Sequence, residues 1–226
     1  MLFLEWKMVM KLHLPAFLRV FGKSAVDWYD AWLDMTVMGI LWLIAQVTII
    51  LGPPATFGVY YVVNLMIRTG ENRGIKGMFE GAKKYFWQSL GWGALNLLVL
   101  VIAVVNFTFY SQVNSPFAFA AQVFVMVLTG LWLMTQFYTV PFFMAQQEER
   151  ILLALRNGFF MAVGTLFFTV GLMILEILII ALCVFLILPA FLGVPLFIPV
   201  LGTRALYDRL EAFGLRKKDP DPREIQ

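Results

Sequence analysis

Apolar residues in this chain are gathered into three long stretches separated by polar segments. The stretches cover residues 35–67, 85–147 and 157–203, and Glu176 is the only charged residue within them. A helix that crosses a bilayer needs about 20 mostly apolar residues, so each stretch is long enough for at least one crossing. The pattern therefore predicts an all-α fold, a polytopic bundle of transmembrane helices.

Each stretch contains a break that makes it a hairpin, because glycine, proline and short polar residues favour turns. A polar turn at 111–116 divides the second stretch, and in the third stretch we expect an irregular second limb over 189–202. In the first stretch, residues 53–67 form either a short crossing or a re-entrant limb. We expect three hairpins with up to six spans. The candidate helix breaks in the first and third stretches are Gly52, Pro53, Pro54 and Pro189.

The charges indicate which ends of these hairpins share a side of the membrane. All 17 Lys and Arg residues lie in 1–34, 68–84, 146–158 and 204–226. Since basic loops favour the cytoplasm, we expect both termini there. The predicted organisation is a cytoplasmic or interfacial segment over 1–34, a transmembrane domain over 35–203 and a cytoplasmic helix and tail over 204–226.

Composition excludes several classes of protein. The chain is 61% hydrophobic and 14% charged, whereas soluble domains are about 45–50% apolar and about 25% charged. A soluble enzyme and a nucleic-acid-binding protein are therefore disfavoured. His13 and Cys183 are the only residues of their types, so we expect no disulfide, metal or cofactor. Sequence patterns of ATPases, serine hydrolases and zinc proteases are absent, which predicts a protein that is not an enzyme.

Charged segments between the stretches carry amphipathic helical patterns. Ile75, Met78, Phe79 and Ala82 share one face of a predicted helix over 75–86, and 151–159 repeats the pattern. These helices either lie in the membrane interface beside anionic lipid or dock a protein partner. The candidate docking residues are Lys76, Lys83, Lys84, Arg150 and Arg156.

Glu176 is the candidate intramembrane functional residue, because acidic side chains within spans are costly to bury and often mark a transport pathway. Its alternative role is structural, a hydrogen-bonded side chain that joins two helices.

Two blocks of the sequence resemble the YesL-like family of bacterial integral membrane proteins, which has no assigned activity. The blocks are GPPATFGVYY at 52–61 and IKGMFEGAKKYF at 75–86, and the resemblance extends over about 35–165. It implies a multi-pass protein of the bacterial plasma membrane. Relatives are commonly encoded beside carbohydrate importers and polysaccharide-degrading enzymes.

The sequence therefore favours a non-enzymatic accessory protein of a membrane system, whose partners are the lipid bilayer and a membrane protein. The resemblance makes a link to carbohydrate uptake plausible. The alternative is a small solute carrier or channel with Glu176 in its pathway and with the limbs at 52–58 and 189–202 as discontinuous helices.

Overall fold

The computed structural model describes residues 15–186 and 190–216, and only the backbone of residues 180, 182–186 and 190–196. Over these residues the chain forms nine helices and no strand, so the predicted all-α fold is confirmed. The helices are α1 Ala16–Asp30, α2 Trp32–Val47, α3 Gly52–Thr69, α4 Gly74–Lys84, α5 Phe86–Ser111, α6 Pro116–Ala145, α7 Ile151–Gly164, α8 Leu166–Leu186 and α9 Ala190–Ala212.

Helices α5 and α6 are each long and apolar enough to cross a membrane. They contain 26 and 30 residues, and at about 1.5 Å per residue both exceed a hydrocarbon core of about 30 Å. The turn between them ends at Ser115, whose side chain accepts a hydrogen bond from the backbone N–H of Phe117. The predicted hairpin is therefore present, and the chain is an integral membrane protein.

Two further pairs of helices are long and apolar enough to cross a membrane only if the two helices of each pair are counted as one span. Each of these pairs is sharply bent. Helix α1 meets α2 at 89° across Ala31, and α7 meets α8 at 97° across Thr165. Tyr85 separates α4 from α5 in the way that Ala31 separates α1 from α2. The backbone angles are φ −106° and ψ 21° at Tyr85, and φ −114° and ψ 22° at Ala31. The described residues thus contain two spans, or up to four with the bent pairs. This is fewer than the upper limit of six.

The first apolar stretch breaks where its glycine and prolines predict. Helix α2 ends at Val47, and α3 begins at Gly52 with proline in its first turn, where the missing proline N–H costs no helical hydrogen bond. Residues 53–67 therefore belong to one continuous helix. Since most of its side chains between Pro54 and Asn64 are buried, α3 lies within the protein.

The third stretch corrects one expectation. Its second limb, predicted to be irregular, is helical from Ala190 to Ala212 despite Pro195 and Pro199. The same helix passes through the domain boundary expected at 203/204 without interruption. Pro189 lies outside the described residues, as do His13 and the side chain of Cys183.

Close helix packing fixes the core around α3 and α6. A Cβ atom added to Gly58 of α3 would lie 2.2 Å from the backbone oxygen of Met78 in α4, and one added to Gly158 of α7 would lie 3.0 Å from the backbone oxygen of Thr135 in α6. Glycine permits these approaches because it has no Cβ. The short helices α4 and α7 are therefore held tightly against α3 and α6.

Candidate functional site

The four charged segments of the sequence meet at one end of the molecule. Arg204 of α9 binds Asp27 of α1, and Asn72 donates to the carboxylate of Asp34 at 2.6 Å. Lys84 donates to Glu149 at 2.7 Å, which joins α4 to the segment before α7. Each contact links two segments that lie far apart in sequence. We call the end they form the charged end.

The pair between Asp27 and Arg204 is the most enclosed of these contacts. The guanidinium nitrogens Nε and Nη2 of Arg204 both donate to the carboxylate of Asp27, the latter at 2.8 Å. The side chain of Asp27 is only 8% exposed. A buried bidentate pair has well-defined geometry, so it fixes α1 against α9.

Lys84, Tyr85 and Glu149 form a three-membered hydrogen-bonded cluster. The Lys84 ammonium donates at 2.7 Å to both the Tyr85 hydroxyl and Glu149 Oε1, and the Tyr85 hydroxyl donates to the same Oε1 at 3.1 Å. The hydrogen bond between Lys84 and Glu149 raises the pKa of Lys84 and lowers that of Glu149. Lys84 was a docking candidate, and in this structure its ammonium joins α4 to the segment before α7.

Lys76 and Lys83 remain exposed on α4, and the structure changes which side chains of this helix pack inward. Met78 is buried with the glycines of α4, whereas Ile75 and Phe79 are exposed. The single apolar face that the sequence predicts is therefore divided between the core and the outside.

Helix α7, like α4, buries its small residues and exposes its large apolar ones. Ala154, Gly158 and Ala162 face the core, while Leu152 and Phe160 point outward. Interfaces between helices in membranes favour small residues, which leaves large apolar side chains toward lipid. Because an aqueous environment would reverse this preference, the orientation of α7 fits a helix at a membrane.

Arg150 and Arg156 lie at the beginning of α7. They line an open cavity of about 540 Å³ together with Ile151, Leu152 and Leu153. Arg150 also lies 3.5 Å from Glu148, in a pair whose side chains are both largely exposed. The cavity thus combines two cationic groups with an apolar wall.

Glu176 lies in α8 and is half-buried. The limbs at 52–58 and 189–202 were expected to supply unwound backbone, but the described chain is helical over 52–58 and over 190–202.

Three polar contacts inside the helix bundle were not foreseen from the sequence. Trp92 donates to Gln136 at 2.8 Å and Trp132 donates to Asn96 at 3.0 Å, so α5 and α6 are joined twice. The hydroxyl of Tyr207 donates to Asn64. An Asn or Gln within an apolar stretch is a signal of such contacts, but its partner cannot be identified without the packing.

Among the residues described, no group of three or more His, Cys, Asp or Glu side chains could hold a metal ion. The arrangement is that of a membrane protein whose charged end presents basic and apolar side chains. No protein-family model, curated protein or solved structure matches this chain.

Proposed function

We propose that this chain is a non-enzymatic, multi-pass protein of the bacterial plasma membrane that docks a partner protein through α4. Both termini and the charged end lie in the cytoplasm in this proposal, because that end carries the basic segments. The resemblance to the YesL-like family is the reason to seek the partner among proteins of carbohydrate uptake.

The exposed face of α4 is the observation that carries the proposal. Ile75 and Phe79 are exposed there beside Lys76 and Lys83, although α4 is already held to α3 by its glycine face. The same helix carries Glu80, which pairs with Arg73 at 3.3 Å. A surface with an aromatic centre and charges of both signs suits a protein with a complementary surface better than a uniformly anionic lipid surface.

A photocrosslinking experiment tests this proposal in native membranes. A photoreactive phenylalanine analogue replaces Phe79, and in the control it replaces Phe124 of α6; both native side chains are 63% exposed. We expect a discrete protein adduct at position 79, and lipid adducts alone at position 124. Adducts with lipid only at both positions would contradict the docking proposal.

The identity of the captured protein tests the link to carbohydrate uptake separately. We expect a component of a carbohydrate importer at position 79. Reproducible capture of a single membrane protein of another system would keep the docking proposal and remove this link.

A second candidate function is a small carrier or channel that uses Glu176. The observation in its favour is a half-buried carboxylate within the apolar helix α8. If Glu176 carries protons during transport, Glu176→Gln abolishes proton-coupled flux in proteoliposomes. Equal flux in the variant and the original protein would remove this form of the candidate.

A further inference from the structure

Beyond protein docking by α4, we propose that the cavity at the beginning of α7 binds the headgroup of an anionic phospholipid. The cavity has a volume of about 540 Å³, and its lining consists of Arg150, Arg156 and three apolar residues. Two guanidinium groups can donate several hydrogen bonds to one phosphate. The apolar lining offers a contact for the adjoining acyl chains.

The surrounding charges leave this cavity basic. Glu149, next to Arg150 in sequence, is engaged by Lys84 from α4 at 2.7 Å. Glu148 lies 3.5 Å from Arg150, but both side chains are more than half exposed, and such pairs are weak. No carboxylate among the described residues lies within ion-pair distance of Arg156. An anion entering the cavity therefore meets positive charge that neighbouring acids do not cancel.

The position of Arg156 on α7 favours a lipid over a water-soluble anion. It lies on an exposed stripe whose other members are apolar, namely Leu152, Phe159, Phe160 and Val163. The stripe leads to the bend at Thr165, after which Phe167 is 91% exposed at the beginning of the apolar helix α8. An arginine within an apolar stripe at such a bend lies where headgroups and acyl chains meet.

The cavity also differs from the exposed face of α4. Acidic Glu80 and the pair between Arg73 and Glu71 belong to α4 and its approach, whereas the cavity lining contains no acid. A lining of arginine and aliphatic side chains complements a lipid with a negative headgroup.

The test uses the full chain in detergent and native mass spectrometry with phosphatidylglycerol or phosphatidylcholine. We expect one phosphatidylglycerol to be retained per chain and no phosphatidylcholine. The double variant Arg150→Gln with Arg156→Gln should bind phosphatidylglycerol about 30-fold more weakly. The matched control, Lys23→Gln with Arg68→Gln, removes the same charge from exposed positions outside the cavity and the α4 surface and should change binding less than about twofold. Equal losses in the two double variants would overturn the proposal.

Two further arms separate a lipid from its headgroup and exclude a folding effect. Leu152→Asp places a carboxylate in the cavity at a side chain that is 77% exposed, so the protein should remain folded and lose the lipid. Glycerol phosphate, which has no acyl chains, should fail to displace phosphatidylglycerol at equal concentration. Displacement at equal concentration, or retention by Leu152→Asp, would contradict a site for intact lipid.

Discussion

The two ends of the molecule are stabilised in different ways. In residues 96–133, which we call the hairpin, Ala118 is the only buried residue. The base consists of α1, α3, α4, α7 and residues 134–145 and 197–212, and it contains most of the buried core. The base resembles an ordinary folded core, whereas the hairpin presents nearly all of its apolar surface outward.

This difference shows where lipid replaces protein as the partner of apolar side chains. Lipid tails are as apolar as leucine, so burial between helices supplies little driving force within a membrane. The hairpin is therefore held by hydrogen bonds between α5 and α6, such as that of Trp132 with Asn96. The base depends on close packing and on ion pairs such as that of Asp27 with Arg204.

The largest loss of stability is expected when the charge of Asp27 is removed, because Asp27 is buried in the base in an ion pair with Arg204. Asp27→Asn leaves the Arg204 guanidinium, whose side chain is 23% exposed, beside a neutral group. Breaking a buried ion pair costs about 3 kcal/mol or more. The measurement is the free energy of unfolding in detergent, followed by circular dichroism.

A paired replacement distinguishes lost charge from lost packing. Replacing both partners by apolar residues, as in Asp27→Leu with Arg204→Met, should recover much of the stability, since a packed apolar pair can substitute for a buried ion pair. Equal stability of Asp27→Asn and the original protein would show that the base does not depend on this pair.

The second effect contrasts one glycine in the base with one in the hairpin. A Cβ at Gly58 would lie 2.2 Å from a backbone oxygen, whereas a Cβ at Gly130 would meet no atom within 4 Å. We expect Gly58→Ala to destabilise the protein by about 2–3 kcal/mol through overpacking. Gly130→Ala should be neutral or slightly stabilising, because alanine favours helix. Thermal unfolding of both variants tests the contrast, and equal midpoints would contradict it.

The third effect compares two asparagines of the same helix. Asn96 accepts a hydrogen bond from Trp132 across the hairpin, whereas the amide of Asn106 donates to Ile102 within α5. We expect Asn96→Leu to cost about 0.6 kcal/mol, the average for a hydrogen bond between membrane helices, and at most about 1.7 kcal/mol. Asn106→Leu should cost nothing. Unfolding in detergent measures both, and an equal cost would show that the contact between α5 and α6 is not stabilising.

Much of the architecture is predictable from this sequence because its causes are local. Uninterrupted apolar stretches predict α5 and α6, and the polar turn before Pro116 marks their boundary. Gly52 and the prolines after it mark the beginning of α3. The positions of α4 and α7 follow from the charged, helix-periodic segments around them.

The faces of α4 and α7 could not be predicted in the same way. Periodicity groups Met78 with Phe79, but only Met78 is buried, because the close approach of α4 to α3 selects small and flexible residues. Gly164 directly precedes the bend at Thr165, but Gly130 lies within the continuous helix α6, so a glycine in an apolar stretch does not by itself identify a bend. The partners of Asp34, Lys84 and Asp27 depend on contacts between distant segments, and sequence spacing contains no information about these.

The smallest change in stability is expected at the exposed cluster of Lys84 and Glu149. This cluster titrates with pH, whereas the hairpin contains no charged residue. The pKa of Glu149 is lowered from its ordinary value of 4.5, so the stability it contributes is present above that pH and is lost as pH falls through the folded-state pKa. The pKa of Lys84 is raised above 10.5, so its contribution is complete below that pH and is lost as pH rises further.

Lys84→Met should cost about 0.2–1 kcal/mol at neutral pH and progressively less in acid. Lys83→Met, at an exposed neighbour, is the control. A difference between Lys84→Met and the original protein that stays constant from neutral pH into acid would show that the cluster does not stabilise the base.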